Sequence, residues 1–189
     1  MKKPGKTVFA LVMILIVMLA GCGSREVVMK EFTSGDGTVS VSMNESWTPE
    51  SMGTDAGSEG WIAAFNEDES EGIIIMQIAK ETYGANVAGI NEWQELIETS
   101  YSMSDMEEIN KPSIEGMEVA EAYSCKVIAG GITSAGYVVF GETDYGFYCI
   151  LYAAPKRSAK NTEYFNNVCG SFRENEPMPI SMGRSIYGN

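Results

Sequence analysis

The sequence contains no histidine. This absence excludes a Ser-His-Asp triad, a Cys-His nucleophile pair and any metal site that needs an imidazole ligand. Basic residues are also few, because 13 Lys and Arg stand against 26 Asp and Glu, a formal net charge of −13 over 189 residues. Binding to phosphates requires Lys or Arg that displace counterions, so this charge balance argues against nucleic acid as a partner.

No apolar run is as long as a bilayer-spanning helix, which needs about 20 residues. The longest run, Val8 to Ala20, has 13 residues and follows Lys2, Lys3 and Lys6. A charged start, a short apolar core and small residues after it are typical of a secretory signal peptide. We therefore expect residues 1–21 to be removed, which leaves 10 basic residues against 26 acidic ones, a net charge of −16.

The apolar run ends in Leu19-Ala20-Gly21-Cys22. These four residues resemble the lipobox of bacterial lipoproteins, in which cleavage precedes the Cys and the Cys is lipidated. The alternative is an ordinary signal peptide with a chance Cys. The resemblance implies diacylglycerol on Cys22, and two acyl chains are sufficient for stable anchoring. We expect the mature chain to be anchored on the extracytoplasmic face of the cell membrane, through a tether over residues 22–30.

Periodicity predicts a single domain over residues 31–172, followed by a flexible tail over 173–189. Six segments have the apolar pattern of strands: 39–43, 61–65, 73–79, 117–128, 132–140 and 145–153. Their short connections predict antiparallel pairing. Helical spacing predicts helices over 88–102 and 161–169, the second with Gly170 as its C-terminal cap. Because the unbroken run 73–79 needs cover on both faces, we expect an α+β fold: an antiparallel β-sheet flanked by helices on both faces, an α/β/α sandwich.

Four short motifs resemble the PsbP-like family: Gly37–Met43 leading to Trp47, Ile114-Glu115-Gly116, Tyr148-Cys149-Ile150-Leu151 and Gly170-Ser171-Phe172. This family includes the extrinsic PsbP proteins of photosystem II, the yeast nuclear-import factor Mog and many small bacterial lipoproteins. Asn44 stands where the family often has Pro. The resemblance implies an α/β/α domain that docks onto protein partners and stabilises assemblies. No binding residue of the family has a recognisable motif here.

Two acidic clusters occur in the sequence, and the first is a candidate for binding a cation. In the first, Glu67 to Glu71, placing Gly72 at the sixth position of an EF-hand loop puts Ile78 at the twelfth, where Glu is required, so the EF-hand interpretation fails. A looser cation site and a solvated hairpin turn remain as interpretations. The second cluster is Asp105, Glu107 and Glu108, and it adds to a generally anionic surface. We assign no metal and no cofactor.

Three cysteines remain once Cys22 is lipidated: Cys125, Cys149 and Cys169. In a simple meander, Cys125 and Cys149 both pair near Tyr137 and lie two strand spacings apart, roughly 9–10 Å, which is too far for a disulfide. We therefore expect buried free thiols.

The sequence thus favours a non-enzymatic lipoprotein that is a binding or accessory module for envelope proteins. One alternative is a lipoprotein that binds a small molecule or a cell-wall fragment, with Trp47, Trp61 and Trp93 either lining its pocket or lying in the core. Another alternative is a hydrolase that uses a pair of carboxylates, although no pair stands out. The site residue on which the interpretation depends is Cys22.

Overall fold

The computed structural model describes residues 27–35, 37–50, 62–80, 87, 89–129 and 131–175. The predicted signal peptide, Cys22 and most of the predicted tether lie outside these residues. The described part contains two helices and ten strands, in the order β1 Met29–Thr33, β2 Val39–Asn44, β3 Thr48–Glu50, β4 Ile62–Phe65, β5 Gly72–Ala79, α1 Ile90–Ser100, β6 Ser104–Glu108, β7 Glu118–Ala129, β8 Ile132–Glu142, β9 Gly146–Ala154, α2 Ala159–Ser171 and β10 Arg173–Glu174.

Seven of these strands form one antiparallel sheet in the order β3-β4-β5-β9-β8-β7-β6. The predicted hairpin β4-β5 and the meander β7-β8-β9 are both confirmed. All six predicted strands are present, with ends that differ from the prediction by one or two residues. With two helices and antiparallel sheets, the fold class is α+β, as the periodicity predicted.

A second sheet of three strands, β1-β2-β10, extends the domain beyond both predicted boundaries. β1 begins at Met29, inside the segment expected to be a tether (22–30), and pairs with β2. β10 lies inside the segment expected to be a tail (173–189) and pairs with the opposite edge of β2. Neither strand produces an apolar pattern, because β1 is half exposed and β10 has two residues.

Side-chain hydrogen bonds hold β10 to the end of the large sheet. Glu174 Oε1 accepts a hydrogen bond of 2.8 Å from Thr143 Oγ1 and a second one from the hydroxyl of Tyr148. Tyr148 is fully buried and Thr143 is 6% exposed. Beyond β10, the side chain of Asn175 donates to the carbonyl of Gly37 at 2.8 Å. The chain is therefore ordered by tertiary contacts through Asn175.

Residues that alternate along β9 belong to two separate core clusters, one for each face of the large sheet. On what we call the first face, Tyr148, Ile150 and Tyr152 pack with β2 and with α2. On the second face, Cys149 and Leu151 pack with α1. Each cluster removes apolar surface from water at about 25 cal/mol per Å², which is the main term that stabilises these layers.

The two helices differ from their predictions at particular residues. α1 spans 90–100 rather than 88–102, and its large apolar residue Leu96 is 49% exposed. α2 starts earlier than predicted because Ser158 Oγ accepts from the backbone N–H of Asn161 at 3.1 Å and caps the helix. Gly170 is not the cap that the sequence indicated, because α2 continues through Ser171.

Candidate binding pocket

The residue that the sequence singled out, Cys22, lies outside the described residues. Its lipidation stays a prediction. Among the residues that the structure describes, no helix has both the length and the apolar character needed to cross a membrane.

The acidic turn Glu67–Glu71 connects β4 to β5 as a self-contained hairpin loop. Asp68 Oδ1 accepts from the backbone N–H and the hydroxyl of Ser70, at 3.2 and 2.6 Å. These two hydrogen bonds hold the pKa of Asp68 below its usual value. Asn66 Oδ1 accepts from the N–H of Glu71 at 3.0 Å. The turn therefore uses its carboxylate and amide oxygens to shape the loop, and no metal-binding group of His, Cys, Asp or Glu occurs in the described part of the chain.

The second acidic cluster differs because two of its three carboxylates form ion pairs. Asp105 pairs with Lys126 at 2.6 Å, and Glu107 pairs with Arg157 at the same distance. By contrast, none of the four carboxylates in the turn 67–71 forms an ion pair with a described Lys or Arg. The turn at the end of the β4-β5 hairpin is therefore a patch of carboxylates with no described basic partner.

The three described cysteines are free and buried, as predicted. Cys125 and Cys149 do not pair near the same residue of β8: Cys125 pairs with Gly136, whereas Cys149 pairs with Phe140. The two cysteines are therefore offset along the strand direction as well as separated by the intervening strand β8. Burial raises the pKa of Cys125 to about 11 and raises the pKa values of the other two thiols as well. Protonated, buried thiols are poor nucleophiles.

Of the three tryptophans, Trp47 and Trp93 lie in the core, and Trp61 is outside the described residues. The ring centroid of Trp47 lies 5.4 Å from that of Tyr164 on the first face. Trp93 packs on the second face, and its Nε1 has no hydrogen-bond partner among the described residues. Neither ring lines the pocket described next, so the interpretation as core residues holds for both.

An open pocket lies on the second face, where two small residues of neighbouring strands lie side by side. Gly72 of β5 pairs with Ala153 of β9, and both line the pocket. Neither position projects more than a methyl group, so the sheet surface is low there. Leu151 lies two residues before Ala153 on β9, faces the same side of the sheet and packs with α1 in the second cluster. The helix ends at Ser100, and the next residue, Tyr101, lines the pocket.

The walls of the pocket are mainly apolar. Phe65 forms one side, and its ring lies directly over Gly72, where an added Cβ would be 2.3 Å from Cδ1 of the ring. Tyr101, which follows α1, and Ile132 at the start of β8 form other sides. Ile132 is 70% exposed, the largest exposed fraction among the large apolar side chains of the described residues. The volume enclosed is about 150 Å³.

The acidic turn forms the charged part of the pocket rim. Glu69 and Ser70 both line the pocket, and Glu69 is the one residue of the lining that carries a charge. Glu69 has a positive φ of 56°, so the turn bends sharply at this position. The arrangement can bind an apolar group with a positive charge beside it.

Sequence patterns did not predict this pocket. Its floor depends on Gly72 and Ala153, which are brought together by pairing between strands that are distant in the sequence. A usable signal was Gly72 next to the strand pattern 73–79, because a glycine at a strand often marks a close approach by another group. The exposed Ile132 beside a hairpin turn was a second signal.

No protein-family model and no curated protein matches the sequence. Among solved structures, the solution structure of cyanobacterial PsbP (CyanoP) from Synechocystis sp. PCC 6803 matches with a TM-score of 0.53 and 8% identity, covering 81% of this chain and 96% of CyanoP. A crystal structure from Bacteroides thetaiotaomicron VPI-5482 matches with a TM-score of 0.49 and 18% identity, covering 78% of this chain. The chain spans about half, 48%, of that protein. The CyanoP match supports a PsbP-like fold.

Proposed function

We propose that this chain is a lipoprotein anchored to the extracytoplasmic face of a bacterial membrane through Cys22, with a PsbP-like α/β/α sandwich that docks on an envelope protein. In this proposal one helix covers each face of the large sheet, which is consistent with the two core clusters. The lipobox supports the anchor, and the likeness to CyanoP supports the fold.

The proposal assigns a binding role rather than catalysis. The cysteines are buried and their pKa values are raised, so they are unsuited to nucleophilic attack. The pocket lining contains two titratable side chains, Glu69 and Tyr101. It therefore offers no pair of carboxylates for general acid–base chemistry, which the hydrolase alternative requires.

The observation that carries the binding role is the open apolar pocket beside Ile132. Its volume of about 150 Å³ is below the roughly 300–1,000 Å³ of typical small-molecule sites. A pocket of this size favours one side chain of a protein partner over a metabolite or a cell-wall fragment. An exposed apolar residue at the edge of a pocket is also the kind of group that becomes a binding hot spot.

The anchor is tested by fractionating cells that express the chain with Cys22→Ser. We expect the unchanged chain in the membrane fraction with an acylated N-terminal peptide by mass spectrometry, and we expect the variant to be unprocessed or to lack acyl groups. The control is the double variant Cys22→Ser, Ser24→Cys, which keeps a thiol but moves it away from Gly21. If either variant is acylated and anchored like the unchanged chain, the lipobox assignment is wrong.

A further inference from the structure

We propose that the pocket on the second face is the docking site for an exposed protein segment that presents an apolar side chain next to Lys or Arg. This inference deepens the proposed function and rests on its binding role, because it names the surface and the chemistry of the partner. It does not depend on the lipid anchor.

The volume of the pocket and the exposure of Ile132 at its edge fit a single apolar side chain. A cavity of about 150 Å³ lined by apolar side chains accepts a group about as large as benzene, so it fits a single Phe or Leu side chain. Ile132 is 70% exposed at the pocket edge and would be covered by such a ligand. Fully burying a side chain of this kind contributes about 1.5–3 kcal/mol, or roughly ten- to a hundredfold in affinity.

The carboxylates at the pocket rim have no ion-pair partner among the described basic residues. Glu67, Asp68 and Glu69 form no ion pair with a described basic residue, whereas Asp105 and Glu107 each have one. The hydrogen bonds from Ser70 favour the ionised form of Asp68. No Lys or Arg lines the pocket. A cation beside the apolar anchor would therefore meet carboxylates that are not already neutralised, and this complementarity selects a basic segment over an acidic one.

Among the described residues, the pocket and the first strand of the chain lie on opposite faces of the large sheet. The described chain begins next to β1, which pairs with β2, and β2 packs on the first face. The pocket lies on the second face, where α1 stops short of it. A tether that leaves from β1 therefore starts on the other side of the sheet.

The test uses the purified full chain and three dye-labelled peptides, with binding measured by fluorescence anisotropy. The first peptide has one Phe flanked on each side by two Lys, the second replaces Phe with Ala, and the third replaces every Lys with Glu. We expect the first peptide to bind at least about tenfold more tightly than either of the others. Raising the salt concentration should weaken its binding, because the charges lie at the surface.

Two matched pairs of variants locate the site. Ile132→Ser should weaken binding of the first peptide about tenfold. Ile128→Ser should leave it unchanged, because Ile128 is 44% exposed on the same hairpin but pairs with Thr133, the neighbour of Ile132, and so faces the other side of the sheet. Glu69→Gln should weaken binding a few fold, and Glu163→Gln, an exposed change on α2, should not.

Equal binding of the Phe and Ala peptides, or an equal effect of Ile132→Ser and Ile128→Ser, would overturn the inference. Equal binding of the Lys and Glu peptides would also contradict it, because charge would then play no part. If light scattering instead shows a dimer that Ile132→Ser dissociates, the occupant is a second copy and the inference is wrong. The assay contains no membrane, so it can succeed while the Cys22 test fails, and the two failures are distinguishable.

Discussion

Replacing Glu174 with alanine removes the acceptor that joins β10 to the end of the large sheet. In the folded chain, Glu174 Oε1 accepts from the hydroxyls of Thr143 and Tyr148. A hydrogen bond to a charged group contributes about 1.5–3 kcal/mol when it is buried. Because Glu174 is half-buried and water can replace part of each bond, we use about 1 kcal/mol for each and expect a loss of about 2 kcal/mol.

This loss is measured by urea unfolding of the purified chain, and the melting temperature should fall by about 4–8 °C. Tyr148→Phe should lower the free energy of unfolding by about 1 kcal/mol, and the double variant should lose less than the sum of the two single variants, because they remove the same bond. Glu163→Ala, an exposed change on α2, serves as the control and should stay within about 0.5 kcal/mol of the unchanged chain. If Glu174→Ala is equally neutral, β10 does not belong to the fold and the predicted tail boundary at residue 173 was right.

The remaining predictions concern two glycines and the buried thiols. Gly136→Ala should destabilise the chain by about 1–3 kcal/mol, because the new Cβ would lie 2.6 Å from Val127 Cγ2 and 2.7 Å from Cys125 Sγ. Gly170→Ala should stabilise the chain by about 0.5–1 kcal/mol, because the glycine lies in α2 and no atom is near the position of an added Cβ. If the variant is instead less stable, Gly170 has the left-handed backbone of the predicted cap. Reductant should leave the melting temperature unchanged, because the three described cysteines are free. The free energy of unfolding should fall as the pH rises from the ordinary thiol pKa near 9 towards 11, because the unfolded state then releases the proton of Cys125 and the folded state retains it. A flat profile of unfolding free energy in this pH window would contradict the buried, protonated thiol.

The long elements of the fold were predictable because their apolar patterns are long and regular. The run Ile73–Ala79 indicated a strand covered on both faces, and its alternate residues do pack in different clusters. The meander β7-β8-β9 followed from short connections between long strands. These patterns depend on local periodicity, which the sequence contains directly.

The short edge elements were not predictable, because tertiary contacts order them. β10 has two residues and is held by the hydroxyls of Thr143 and Tyr148, which lie about 30 residues earlier in the sequence. The cap of α2 was misplaced because Gly170 is a common stop signal, but here the helix continues past it. The pocket was missed for a related reason, since its floor joins Gly72 and Ala153 from two strands that are distant in the sequence.

Photo-crosslinking in intact cells tests the central claim, that this pocket docks an envelope protein, most directly. A photoreactive residue is placed at Ile132 or, as the matched control, at Ile128, in the chain that retains Cys22. We predict a single crosslinked partner from position 132, absent from position 128, with the crosslink falling in a segment that holds an apolar residue beside Lys or Arg. Crosslinks of equal strength from both positions, or a crosslinked segment without a basic residue, would contradict the account.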